Sequence, residues 1–290
     1  MSTNTPLERY VLAKPYFDPQ GLIVAEEDGS CLGFAHAGFG GEASANCLQR
    51  EIGVICLVGV RPNARRRGIG TELLRRAEYY LRQRGAKTIF AGSHFPNNPF
   101  YLGLYGGADS SGILASDALA APFLERHGFR KVKTHVVLQR LLDHTLKIVS
   151  PKFAYHRQRF LVQACFPKDL RGWWRECLVG FVEPLEIYLE DKEHPEVAAR
   201  ALVWEMDGFS ARWGRASVGL MGFEVRPDLR RQGIGKFLLS HLLRQVQDQY
   251  FELCEVHIAS DNVPALQFLH SLAFEQVDAG EVFLRGDESA

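Results

Sequence analysis

The sequence predicts an α/β (α+β) protein of two tandem domains, and three observations carry that prediction. The stretch Val60-Arg61-Pro62-Asn63-Ala64-Arg65-Arg66-Arg67-Gly68-Ile69-Gly70 returns, 165 positions later, as Val225-Arg226-Pro227-Asp228-Leu229-Arg230-Arg231-Gln232-Gly233-Ile234-Gly235. Both copies share the same surroundings: an apolar run, a turn with Pro and Arg, a glycine pair, then an amphipathic segment. The chain also has 290 residues, 46% hydrophobic and 23% charged, which supplies the core that two domains need. A period this long marks duplicated domains, since solenoid repeats run at about 20–50 residues.

In the first copy, residues 22–26 and 31–38 are short strand candidates. Residues 52–60 are apolar nearly throughout, which suits a strand covered on both faces. Past the glycines, Leu73, Leu74, Ala77 and Leu81 fall on one face of a helix of period 3.6. A strand at 88–91, a helix ending near Phe129 and a strand at 134–138 complete the copy. The second copy repeats the order. Strands are expected at 185–190, 198–204 and 218–225, followed by a helix marked by Leu238, Leu239, Leu242 and Val246. An alternating strand at 254–258, a helix ending near Phe274 and a strand at 282–284 follow.

The copies are unequal. Gly68 to Gly128 is 60 positions, whereas Gly233 to Ala273 is 40. The first therefore carries an insertion near 94–112, rich in glycine and aromatics, which reads as a binding loop or as a surface loop packed on its own rings. The first copy has no room for a helix pair at its start, while the second has residues 168–181 there, with Trp173 and Trp174. The four tryptophans (Trp173, Trp174, Trp204, Trp213) all lie in the second copy, as core packing or as an aromatic wall around an acceptor. The domains are expected at 1–145 and 146–290, divided in the polar stretch 143–151.

Formal net charge is zero and the pI about 7.1, so nothing calls for nucleic acid or an acidic membrane, which need a basic field. No signal-peptide h-region opens the sequence, and no apolar run approaches the ~20 residues of a membrane span. A cytoplasmic protein is expected. The six cysteines (Cys31, Cys47, Cys56, Cys165, Cys177, Cys254) form no CxxC pair and read as buried, reduced thiols; no metal site is expected.

The glycine motif carries the chemistry. A helix N-terminus offers free backbone N–H groups and a partial positive charge. Gly68 and Gly70, like Gly233 and Gly235, let a pyrophosphate approach those amides. Walker A is absent, and Leu73 and Leu238 occupy the third glycine of a dinucleotide fingerprint. The remaining pattern, Arg-x-x-Gly-x-Gly after a buried strand, resembles the pyrophosphate loop of the GNAT N-acetyltransferases. It is carried by Arg65, Gly68 and Gly70 and by Arg230, Gly233 and Gly235. The stretch Asn262 to Phe274 is similar to the family's Asn-x-x-Ala-x-x-Phe-Tyr-x-x-x-Gly-Phe, and Phe123 to Phe129 matches its end. The tandem layout is similar to that of the mycothiol synthases, as an architecture only.

The resemblance implies two GNAT-like domains, each a mixed, mostly antiparallel sheet flanked by helices. It implies acetyl-CoA or another acyl-CoA as co-substrate. The residues implied to hold it are Val58, Val60, Arg65, Arg66, Arg67, Gly68, Ile69, Gly70, Thr71 and Phe123 in the first copy. In the second they are Phe223, Val225, Arg230, Arg231, Gln232, Gly233, Ile234, Gly235, Lys236, Asn262 and Phe268. The implied reaction is transfer of an acetyl or other short acyl group to an amine of a small molecule or peptide by direct attack, with a homodimer as a possible assembly.

The family's tyrosine, which commonly protonates the leaving thiolate, is replaced by Leu124 and Leu269, and Ala273 replaces a glycine. No acid stands at mid-strand, where Val54 and Gly219 lie. Glu51, His36, Glu205 and Glu224 are the candidates for a base. The alternatives are a non-catalytic acyl-CoA-binding or sensing protein, or one active and one structural half. The aromatic helix of the second copy places acyl transfer there, with both loops expected to bind CoA.

Overall fold

The computed structural model describes residues 5–42, 46–143, 147–170, 172–194 and 196–286. In chain order the elements are α1 (Thr5–Leu7), β1 (Leu22–Glu27), β2 (Ser30–Gly41), β3 (Leu48–Val60), α2 (Ile69–Gln83), β4 (Thr88–Ala91), β5 (Ile113–Leu114), α3 (Ala120–Arg126) and β6 (Phe129–Leu141). The second copy supplies α4 (Phe153–Arg159), β7 (Phe160–Cys165), α5 (Trp173–Val179), β8 (Leu185–Asp191), β9 (Val197–Glu205), α6 (Asp207–Trp213), β10 (Ser217–Val225), α7 (Ile234–Asp248), β11 (Leu253–Ala259), α8 (Val263–His270) and β12 (Glu275–Arg285).

These strands form one mixed sheet in the order β1-β2-β3-β4-β12-β6-β11-β10-β9-β8-β7, with β5 beside β12. Among the described residues β3–β4 and β10–β11 are parallel and the other pairs antiparallel. The last strand of each copy is exchanged. β12 pairs with β4 of the first copy, while β6 pairs with β11 of the second, and the two pair with each other from Glu275–Gln139 to Arg285–Phe129. The division expected at 145/146 falls on residues outside those described, and the sheet runs across that point of the sequence.

Why the central strands are apolar throughout is visible in their packing. Ile55 packs with the α2 residues Leu73, Leu74, Ala77 and Leu81 on one face, while its neighbours Val54 and Cys56 pack with Phe100 and Tyr101 of the insertion on the other. In the second copy Val218 and Leu220 face the α7 leucines, and Met221 joins Leu102, Ala108, Trp174 and Trp204 on the opposite side. The insertion thus covers the sheet face that the long helices leave bare. Removing the apolar area of each such side chain from water contributes about 1.5–3 kcal/mol.

Strands 22–26, 31–38, 52–60, 185–190 and 198–204 appear with ends shifted by a few residues. The cysteine expectation needs correction. Cys56 and Cys254 are buried, but Cys31, Cys47 and Cys165 are exposed and Cys177 is intermediate. Cys31 lies at the open start of β2 and Cys165 at the end of edge strand β7, where an apolar run does not guarantee burial. All six are free thiols. The segment 168–181 folds as a short helix, α5, only from Trp173.

Candidate active site

Two splayed strand pairs, built alike, define the site. β3 and β4 pair from Ile52–Thr88 to Ile55–Ala91 and then part; β10 and β11 pair from Ser217–Leu253 to Leu220–Val256 and then part. Both separations occur at the same repeat position. Each lies beside a β-bulge, since the β2–β3 register shifts between His36 and Ala37 and the β10–β9 register between Met221 and Glu224. A bulge bends the strand away from its neighbour, which leaves residues 56–60 and 221–225 with main-chain groups no parallel partner uses.

The glycine loop follows. Gly68 and Gly233 are the N-caps of α2 and α7, with φ of 80° and 89°, and neither is capped by a side chain. The first-turn N–H groups of each 15-residue helix are therefore available to an anion. Arg66 and Arg231 both take φ 63°. Nε of Arg65 donates to the Val60 carbonyl at 3.1 Å, and Nε of Arg230 to the Val225 carbonyl at 3.1 Å, so the two loops are braced identically.

What lies over the loops differs. In the first copy an open cleft of about 630 Å³ runs from the loop to the strand fork, past Val58, Val60, Arg65, Arg66, Gly68, Gly70, Thr71 and Phe123 to Ile55 and Ala91. A Cβ built on Gly68 would meet nothing within 4 Å. Arg67 is turned away into a bidentate pair with Glu27, and Ile69 packs on the core. In the second copy the position of Val58 is Phe223, whose ring stacks on Phe268 with centroids 5.6 Å apart and planes at 17°. The second glycines are alike, since a Cβ on Gly235 would stand 3.3 Å from Phe223 and one on Gly70 3.4 Å from Phe123; the first differ, since one on Gly233 would meet His156 at 3.5 Å and Lys152 at 3.6 Å. Two phenyl rings and α4 thus crowd the second groove.

The remaining expected ligand residues of the second copy have other work. Ile234 is buried in the core, Gln232 donates to the Asp228 carbonyl at 3.1 Å, and the Asn262 side chain caps α8 by accepting from the Ala265 N–H at 3.3 Å. Arg231 is exposed and Lys236 half-buried.

None of the candidate bases lines the first cleft. Glu51 is exposed at the start of β3 and pairs with Lys87 at 2.5 Å. His36 is fully buried; its Nδ1 lies 2.9 Å from the Tyr101 hydroxyl and Phe100 stacks on its ring, and burial pulls its pKa down to about 4. Glu205 has a raised pKa, from burial and then from the Asp207 carboxylate beside it. Glu224 is exposed on the bulged part of β10. Leu124 and Leu269 are each 3% exposed, packed in the two helix-side cores.

Sequence reasoning placed Tyr105 among the aromatics of the insertion but gave it no part in the site; it lines the cleft beside Ile55, Ala91 and Ile113, and its hydroxyl accepts the Leu114 N–H at 2.9 Å. Its placement follows from the insertion lying on a glycine-rich strand. A Cβ on Gly38 would stand 2.8 Å from Phe100, and one on Gly40 2.5 Å from the Pro96 carbonyl. The run of small residues in β2 was the available signal. Two of the tryptophans hold the insertion: Trp174 donates to the Pro96 carbonyl at 2.8 Å, and Trp204 to that of Ala108 at 3.0 Å; Trp173 and Trp213 pack partly buried against the same cluster.

A model of the Acetyltransferase (GNAT) family matches residues 3–105 and 151–274. The chain belongs to this family. Mycothiol acetyltransferase of Cellulomonas flavigena is 38% identical over 79 residues, which are 27% of this chain and 23% of that protein. The same-named protein of Thermomonospora curvata is 33% identical over 87 residues, 30% and 27% of the two chains. The chain thus matches about a quarter of the length of these curated relatives. Among solved structures, a tandem GNAT protein from the clavulanic acid biosynthesis pathway superposes with a TM-score of 0.66 at 17% identity, over 92% of this chain and 83% of that one. A GCN5-related N-acetyltransferase from Sphaerobacter thermophilus gives 0.61 at 15%, over 93% and 83%. The tandem GNAT fold is thereby shown. No helix among the described residues is long and apolar enough to cross a membrane.

Proposed function

We propose that the protein is an acyl-CoA-dependent N-acyltransferase that binds one acetyl-CoA, or a related short acyl-CoA, in the cleft of its first half. The observation that carries this is the open cleft joining the Gly68 helix terminus to the Ile55–Ala91 fork. The pyrophosphate would lie on the free amides of the α2 N-terminus, where each hydrogen bond to a charged oxygen contributes about 1.5–3 kcal/mol. The pantetheine arm would run along residues 56–60, whose main chain has no partner from β4.

The thioester is then held for direct attack by an amine, with no covalent intermediate on the protein; orientation is the main catalytic device. The relatives that share the matched segment are acetyltransferases named for a small molecule, which supports a small-molecule amine acceptor, with a peptide amine as the alternative. A cytoplasmic location belongs to the same reading.

The crowding of the second groove by Phe223 and Phe268 supports transfer in the first half, in place of the second-half site that the aromatic helix suggests. A second reading, acyl-CoA binding without transfer, is favoured by the packing of Val54, Cys56, Phe100 and Tyr101 over the far side of the fork. Calorimetric titration with CoA, paired with a thiol-release assay over an amine panel, separates the two. Binding with turnover on any amine supports the enzyme, binding without turnover the second reading, and absence of binding refutes both.

A further inference from the structure

The insertion belongs to both halves at once. The Ala108 N–H donates to Oε1 of Glu255 at 2.8 Å, and its carbonyl accepts from Nε1 of Trp204 at 3.0 Å. Glu255, on β11, is 2% exposed, and its Oε2 accepts from the Gln139 side chain at 2.6 Å. Two glycines make the contact possible. A Cβ on Gly107 would stand 1.9 Å from Oε1 of Glu255, and one on Gly219 would stand 2.6 Å from Nε1 of Trp204 and 3.1 Å from Cα of Ala108. The second half therefore grips the loop through both main-chain groups of one residue.

Three positions earlier, Tyr105 puts its ring in the first half's cleft, at the fork. Its hydroxyl oxygen accepts the Leu114 N–H, which occupies a lone pair and leaves the O–H proton for a ligand. Burial raises its pKa, so the phenol keeps that proton at neutral pH. The helix α3 offers no donor at this end of the cleft, because Leu124 is packed in the core.

We propose that the second half, through Glu255 and Trp204, positions the inserted loop so that the Tyr105 hydroxyl protonates the CoA thiolate as it leaves. This rests on the acyltransfer reading above. In the step, the acceptor nitrogen forms the C–N bond and the C–S bond breaks with its electron pair on sulfur. The Tyr105 proton passes to sulfur, and the phenolate recovers, through water, the proton that the nitrogen sheds. Acyl-CoA and amine become amide and free thiol, with no change of oxidation state.

The test compares Tyr105→Phe, Trp204→Phe and the double variant, each checked for folding by thermal melting. General acids contribute about 10²–10⁴-fold, and a thiol of pKa ~8.5 needs less help than most leaving groups, so Tyr105→Phe is expected to lower kcat by about 10–100-fold. Its CoA affinity should stay within about threefold. Trp204→Phe, which removes the N–H that holds Ala108, should lower kcat with KM for acyl-CoA nearly unchanged. Because positioning acts through the tyrosine, the double variant should fall no further than Tyr105→Phe alone. Wild-type kcat in Tyr105→Phe, or losses that multiply in the double variant, would overturn the proposal. A wild-type protein that releases no thiol with any amine would instead remove the acyltransfer reading and this proposal with it.

Discussion

Replacing Gly68 by Asp, with Asn as its neutral twin, isolates the electrostatic part of pyrophosphate binding. Gly68 has φ of 80°, where Asn and Asp are the best tolerated side chains after glycine, and a Cβ there meets nothing within 4 Å. The two variants therefore share shape and backbone cost and differ by one charge. A carboxylate about 4 Å from a phosphate oxygen is repelled by about 1 kcal/mol in bulk water and about 4 kcal/mol at an effective dielectric of 20. The open rim of the cleft lies between those limits. CoA should bind the Gly68→Asp variant about 5–1000-fold more weakly than the Gly68→Asn variant, and the gap should shrink in 1 M salt, where the screening length is about 3 Å. Calorimetric titration at two salt concentrations measures both, with thermal melts to show equal folding. Equal CoA affinity of the two variants at low salt would refute the pyrophosphate assignment. A gap that appears at Gly233 rather than Gly68 would move the site to the second half.

Other outcomes follow from the same packing. Leu124→Ala and Leu269→Ala should each lower stability by about 2–5 kcal/mol in denaturant melts; turnover per folded molecule should be unchanged in Leu269→Ala, which lies away from the cleft that Leu124 lines. Phe223→Val, which copies Val58 into the second groove, should raise CoA stoichiometry from one towards two; two sites in the wild type would show that the aromatic stack yields to the ligand. His36 and His94 are held neutral, each with its pKa pulled down to about 4, chiefly by burial. The unfolded chain then binds more protons between pH 4 and 6.5. The stability these two contribute is complete above about pH 6.5 and lost as pH falls to about 4, by roughly 3 kcal/mol for each. Urea melts at pH 7.5 and 4.5 should show a smaller loss in His36→Gln, and an unchanged loss would contradict the cause assigned.

Much of the fold was legible because local pattern and burial agree. The repeat at Gly68 and Gly233 marks the same strand–loop–helix unit, down to the braces from Arg65 and Arg230. The apolar run through Val54 and Ile55 reads as a strand covered on both faces, which it is. The exchange of β6 and β12 was not legible, since each is a polar stretch with a short apolar run, Val136–Leu138 and Val282–Leu284, that would suit a neighbour from either copy. Nor was the difference between the grooves. Val58 and Phe223 are equally apolar, and only the position of Phe268 shows that one pair of rings closes what a valine leaves open. The place of Tyr105 in the cleft was not legible because its insertion has no periodicity and is held, at Ala108, by Glu255 and Trp204 far away in the sequence.

The central claim is that one acyl-CoA binds in the first half, with its reacting end at the strand fork. A crystal structure of the protein with CoA bound tests it most directly. The expected electron density has the pyrophosphate on the main-chain N–H groups of residues 68–71 and the thiol beside Ile55, Ala91 and Tyr105, with the Phe223–Phe268 stack intact. Density for CoA at the Gly233 loop, with the first cleft empty, would contradict it.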